Sequence, residues 1–129
     1  MRLLLATAQP DLRLSLELLL SEQPGVEIVG AASESDGLVA LTRTTDPDLV
    51  VTEWDLPGRA MSKTITELHH FRRPPVVLLL IGDISSNEEV IDSGADAVIA
   101  KGSPPDHLLA VIKQLQRQII SSKEINKYE

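Results

Sequence analysis

The chain contains no cysteine, and its aromatic residues are one Phe, one Tyr and one Trp, 2 % of the total. The first absence excludes a disulfide framework, a thiolate nucleophile and a zinc–thiolate site, and leaves the redox compartment undetermined. The second requires a core built from Leu, Ile, Val and Ala. Cations are also scarce: 12 Lys and Arg stand against 19 Asp and Glu, a formal net charge of −7. Gripping nucleic acid through its phosphates needs clustered Lys and Arg, so direct nucleic-acid binding is not expected of this domain. No apolar run approaches the roughly 20 residues that cross a bilayer. Leu3-Leu4-Leu5 behind Met1-Arg2 is too short for a signal peptide's apolar region. There is no Gly-rich phosphate loop, no triad-like spacing of Ser, His and Asp, no internal repeat and no low-complexity segment. A soluble, cytoplasmic domain with no membrane contact is the expectation.

What is present is an alternation of short apolar runs and amphipathic stretches over 129 residues, 43 % of them hydrophobic. That length suits one domain with a core of its own. Leu3–Ala6 reads as a buried strand, and Asp11–Glu22 as a helix with Leu12, Leu16, Leu19 and Leu20 on one face. Val26–Ala31 is the second strand, and Ser33-Glu34-Ser35-Asp36 supplies capping residues for a helix through Leu38, Leu41 and Thr42. Leu49–Glu53 is the third strand, followed by a helix near Ser62–Phe71 that Pro74-Pro75 stops. Val76–Ile81 is apolar throughout, as in a central parallel strand covered on both faces. Glu88–Ser93 makes a short helix with Gly94 as its C-cap, Ala97–Ala100 a fifth strand, and the last helix carries Leu108, Ile112, Leu115 and Ile119. Strands alternating with helices predict a parallel α/β sheet with helices on both faces. Residues 1–120 read as the domain, and 121–129 as a polar tail that frays or links to an output domain outside this chain.

The stretch Asp46-Pro47-Asp48-Leu49-Val50-Val51-Thr52-Glu53-Trp54-Asp55-Leu56-Pro57-Gly58 places a carboxylate at a strand's carboxyl end. In open α/β sheets this is where function resides. Glu53 therefore occupies the position of a reacting group.

Pro47-Asp48-Leu49-Val50-Val51, Leu56-Pro57-Gly58 and Ser93-Gly94-Ala95-Asp96, with Lys101 five residues on, follow one another in an informative order. Gln9-Pro10 and Gly25–Gly30 add weaker matches. Together, over Arg2 to Gln118, the chain resembles the receiver domain of bacterial two-component response regulators, particularly those joined to helix-turn-helix output domains. The resemblance implies a flavodoxin-like (βα)5 fold with strand order 2-1-3-4-5. It also implies a transcription-regulating context. Family members accept a phosphoryl group from a histidine kinase on an aspartate ending the third strand; the matching residue is Glu53. The family's Mg²⁺-holding acidic pair is matched by Thr7 and Ala8, its Ser or Thr on the fourth strand by Leu80, and its switch aromatic by Val98. The lysine is retained as Lys101.

These departures have physical consequences. Mg²⁺ requires an octahedron of oxygens, usually including one or two carboxylates. Ala8 offers none and Thr7 only a neutral hydroxyl. Glu53 reaches about 1.5 Å further than Asp, one extra C–C bond, which displaces an in-line geometry built for the shorter side chain. No metal, no cofactor and no phosphorylation are expected. Two readings of Glu53 stay open: a fixed mimic of the active state, or an ion pair with Lys101 that neutralises two buried charges.

Trp54 is expected to pack on the side of the strand opposite Glu53. His69-His70 with Arg72-Arg73 reads as a solvated helix end, since adjacent helical residues do not share a face. Ser85-Ser86 and Ser121-Ser122 read as caps and linker. Leu14, Leu18, Leu109 and Ile120 lie off the expected core faces of the first and last helices, and suggest a homodimer surface. The expected function is thus a pseudo-receiver acting through protein–protein contacts and dimerisation. The alternative is a small-molecule sensor whose strand-end cleft is made apolar by Ala8, Leu80 and Ile81. An enzyme would have only Glu53 and Lys101, a pair that defines no reaction, so none is expected.

Overall fold

A computed structural model describes residues 1–82 and 88–127. The elements are β1 (Arg2–Ala6), α1 (Pro10–Ser21), β2 (Glu27–Ala32), α2 (Ser35–Thr45) and β3 (Leu49–Glu53). They continue with α3 (Met61–His69), β4 (Val76–Ile81), α4 (Glu88–Ile91), β5 (Ala97–Ala100) and α5 (Pro105–Lys127). The five strands form one sheet in the order β2-β1-β3-β4-β5, and every pairing is parallel. The flavodoxin-like (βα)5 expectation is therefore met.

Period-two alternation divides the core into two layers. Leu4, Val50, Val77 and Leu79 pack with Leu38 and Val39 of α2, Ile65 and Leu68 of α3, and Val90 of α4. Leu3, Leu5, Leu49, Val51, Leu78, Leu80 and Ile99 pack with Leu16 and Leu20 of α1 and with Leu108, Ile112, Leu115 and Ile119 of α5. Because β1, β3 and β4 are covered on both faces, their apolar residues run consecutively.

The boundaries differ from the sequence expectation where side chains bond elsewhere. Ser33–Asp36 supplies no side-chain cap to α2: Glu34 is the N-cap and makes no such bond. Ser35 instead turns toward the β3–α3 loop, where its hydroxyl accepts from the Arg59 N–H at 2.8 Å and its own N–H donates to the Pro57 carbonyl at 2.9 Å. α4 is a single turn ending at Ile91, and Gly94 follows with φ +87°, a left-handed conformation suited to glycine. Helix α5 does not stop where the polar tail begins but continues through residue 127. Lys123 on this extension lies 2.8 Å from Asp48 at the start of β3. Ser85 and Ser86 lie outside the described residues.

Candidate functional site at the strand ends

The alternation that builds the α1/α5 side of the core also assembles the site. Continuing the β1 pattern Leu3, Leu5 reaches Thr7, and Leu49, Val51 on β3 reaches Glu53. Leu78 leads to Leu80 on β4, and Ile99 on β5 leads to Lys101. Thr7, Glu53, Leu80 and Lys101 therefore converge above one face at the carboxyl edge of the sheet. Glu53 is in register with Leu80. The edge is stitched by backbone bonds: Thr7 N–H to Ala32 O at 2.9 Å, Trp54 N–H to Leu80 O at 2.9 Å, and Lys101 N–H to Ile81 O at 2.7 Å.

Glu53 is 3 % exposed, and both of its carboxylate oxygens are occupied. The Thr7 hydroxyl donates to Oε1. The Gln9 side-chain amide donates to Oε2 at 2.8 Å, and the Lys101 ammonium donates to the same oxygen. Lys101 also lies 3.2 Å from Oδ1 of the exposed Asp55. Burial works to lower the pKa of Lys101, but hydrogen bonds and charge from Glu53 and Asp55 outweigh it and hold the ammonium above its usual value. Leu80 is buried and presents only aliphatic carbon. Ala8 is exposed beside the cluster and contributes a methyl group.

Val98 does not join the site. One residue before Ile99, it falls on the opposite face of the sheet from Lys101 and is 42 % exposed. Two members were not anticipated in their observed roles. Gln9 is the N-cap of α1 but makes no side-chain cap bond, which leaves its amide for Glu53. Asp55 contributes its carboxylate to Lys101. A signal for Gln9 was available: it lies two residues beyond Thr7, so a chain still extended there returns it to the same side.

The residues do not fit a divalent cation. Thr7 and Ala8 supply no carboxylate, and both Glu53 oxygens already accept from protein donors. Among the described residues no group of three or more His, Cys, Asp or Glu could hold a metal ion. No buried side-chain N or O among them lacks a hydrogen-bond partner.

Residues 3–113 match the family described as the response regulator receiver domain. The chain belongs to that family. The nitrate/nitrite response regulator NarL of Escherichia coli K12 is 28 % identical over 116 residues, covering 87 % of this chain and 53 % of NarL. The transcriptional regulatory protein PdtaR of Mycobacterium tuberculosis H37Rv is 29 % identical over 129 residues, covering 99 % of this chain and 61 % of that protein. This receiver thus spans somewhat more than half the length of these relatives. A LuxR-family two-component response regulator from Aurantimonas sp. SI85-9A1 shares the fold at TM-score 0.80 and 22 % identity, covering 96 % of this chain and 97 % of that one.

Trp54 of the receiver is partly buried and packs against the α2/α3 side of the core, opposite Glu53 as alternation requires. Among the residues considered for dimerisation, Leu14, Leu18 and Ile120 are 57 %, 61 % and 49 % exposed. They sit on α1 and α5, neighbours on one side of the sheet. Leu109 is different: it is partly buried against the α1/α5 core. No helix among the described residues is long and apolar enough to cross a membrane.

Proposed function

We propose that this receiver signals through protein contacts, without phosphorylation at residue 53 and without a bound cation. The observation that carries the reading is the occupancy of Glu53: Thr7, Gln9 and Lys101 together use both carboxylate oxygens. A phosphoryl acceptor needs a free oxygen aligned with the donor and metal-assisted charge neutralisation. Here the neutralising charge is the Lys101 ammonium itself. The cluster is a closed ion pair that fixes the carboxyl edge of the sheet, and with Glu53 and Lys101 committed to each other the chain carries no reaction of its own.

The output surface we assign comprises the exposed Leu14 and Leu18 of α1 and Ile120 of α5, through which two copies associate about a two-fold axis. The named relatives are response regulators and transcriptional regulators, which supports a place in transcriptional control. With a net charge of −7, contact with DNA is left to other parts of such a regulator.

Intact-protein mass spectrometry after incubation with acetyl phosphate and Mg²⁺ tests this reading. The expected result is no phosphoryl adduct. Trp54, the sole tryptophan, adjoins the site and reports on it: its emission is expected to stay unchanged as Mg²⁺ is added. In the Thr7→Asp, Ala8→Asp, Glu53→Asp triple variant, emission is expected to respond saturably. A phosphoryl adduct on Glu53 of the wild type overturns the proposal.

A further inference from the structure

The two described cavities lie away from Glu53, toward the amino edge of the sheet. One, of about 570 Å³, is lined by Arg43 of α2 and by Phe71, Arg72 and Arg73 of the α3–β4 turn. The other, of about 780 Å³, continues past Arg72 and Arg73 to the last turns of α5, where Gln118, Ile119, Ser122 and Lys123 line it. Asp46, Arg72 and Arg73 border both, so the two form one continuous groove.

Its charge runs against that of the whole molecule. Arg2, Arg43, Arg72, Arg73 and Lys123 line it with two carboxylates, Asp46 and Asp48, on a chain of net charge −7, and Arg2 pairs besides with Glu27 at 3.9 Å. Both carboxylates are already engaged: Asp46 by Arg73 at 3.5 Å, and Asp48 by Lys123 at 2.8 Å and by the Arg2 backbone N–H at 2.8 Å. Arg43 lies over the Phe71 ring, 5.5 Å from its centroid. Neither Arg43 nor Arg72 has a carboxylate partner among the described residues. On the side running from Arg72 to Lys123 the lining includes the apolar Pro47, Val76 and Ile119.

We propose that this groove docks an acidic peptide segment of a partner protein, its carboxylates pairing with Arg43 and Arg72 and its apolar side chains lying on Pro47, Val76 and Ile119. Charge complementarity and the mixed lining favour a peptide over nucleic acid. A nucleic acid carries charge along its whole length and would meet the molecule's excess of carboxylates beyond the groove, whereas a peptide presents a few charges locally. Guanidinium groups are also suited to carboxylates, which they can bind in bidentate fashion.

The test uses the full chain, ¹⁵N-labelled, and a decapeptide alternating Glu and Leu, with its Gln/Leu counterpart as control. The expected result is saturable amide shifts confined to residues 42–48, 70–76 and 118–123, seen with the Glu/Leu peptide only. Arg43→Glu with Arg72→Glu is expected to weaken binding about tenfold, the sum of two exposed ion pairs. Lys113→Glu, on α5 outside the groove, is expected to leave binding unchanged. Circular dichroism checks that both variants remain folded. Absence of shifts, equal binding of the Gln/Leu peptide, or tighter binding of decathymidylate or inorganic phosphate at the same amides overturns the proposal. None of these outcomes depends on the state of Glu53.

Discussion

Lys123 on the last turns of α5 holds the carboxylate of Asp48 at 2.8 Å, joining the end of the longest helix to the start of β3. Asp48 also accepts from the Arg2 backbone N–H. Burial works to raise its pKa, but Lys123 and the Arg2 N–H outweigh that and hold it below the usual carboxylate value. The stabilisation is therefore present above pH 3.8, the unperturbed value, and is lost as pH falls through the lower folded-state value. Lys123→Ala is expected to cost about 0.5–1 kcal/mol, as for an exposed cation. Asp48→Ala, which also strands the Arg2 donor, is expected to cost about 1.5–3 kcal/mol. Urea denaturation from pH 2 to 7 measures both, and the loss in Asp48→Ala is expected to fade at the acid end.

Lys101→Ala leaves the buried Glu53 carboxylate without its cation. Removing one partner of a buried pair costs about 3 kcal/mol at the low end of the observed range, which suits a lysine that is partly exposed. Glu53→Gln is expected to be milder, about 1 kcal/mol, because Lys101 keeps Asp55 and the Thr7 hydroxyl can reverse to accept from the new amide. The raised Lys101 pKa gives this pair an alkaline limit: its contribution is complete below pH 10.5 and is lost as pH rises through the higher folded-state value. Thermal melts from neutral to strongly alkaline pH are expected to show that limb in the wild type and to lose it in Lys101→Ala.

Leu14→Glu with Leu18→Glu tests the association surface. Each leucine is more than half exposed, so the substitutions leave the core of the single chain intact. Removing two buried leucines from a two-fold interface forfeits about 3 kcal/mol or more, a weakening of association above a hundredfold. Light scattering across a dilution series is expected to give a dimer for the wild type and a monomer for the variant. An unchanged mass in the variant removes α1 from the interface.

Gly58 has φ +111°, and a Cβ built there meets the buried Ser35 hydroxyl at 2.2 Å. Gly58→Ala must therefore strain its backbone and also displace the oxygen that receives the Arg59 N–H. The expected loss is about 2 kcal/mol or more, read from the urea midpoint. The exposed Gly102, with nothing within 4 Å of its virtual Cβ, is the matching control, and Gly102→Ala is expected to be near neutral.

The parts of the fold legible in the sequence were those governed by periodicity. Val76–Ile81 read as a doubly covered strand, and the α5 face Leu108, Ile112, Leu115, Ile119 was visible from its spacing. The pairing of Glu53 with Lys101 was legible through the resemblance to receiver domains, which places both at the strand ends. What periodicity does not encode is where a polar side chain finds its partner. Ser35 resembled a cap residue and bonds a loop, Gln9 stood out only as a weak family match and bonds the site, and the polar residues after 120 resembled a frayed tail but continue a helix anchored through Lys123. Leu109 lay off the predicted face by helical spacing, yet it packs against the core.

Thr7, Glu53 and Lys101 follow β1, end β3 and follow β5, so the carboxylate works as a drawstring through three strand ends that do not adjoin in sequence. Fraying at this rim should consequently occur in unison: the amide protons of Thr7, Trp54 and Lys101 should exchange with deuterium at one shared opening rate. Untying the knot with Glu53→Ala should let each strand breathe on its own clock.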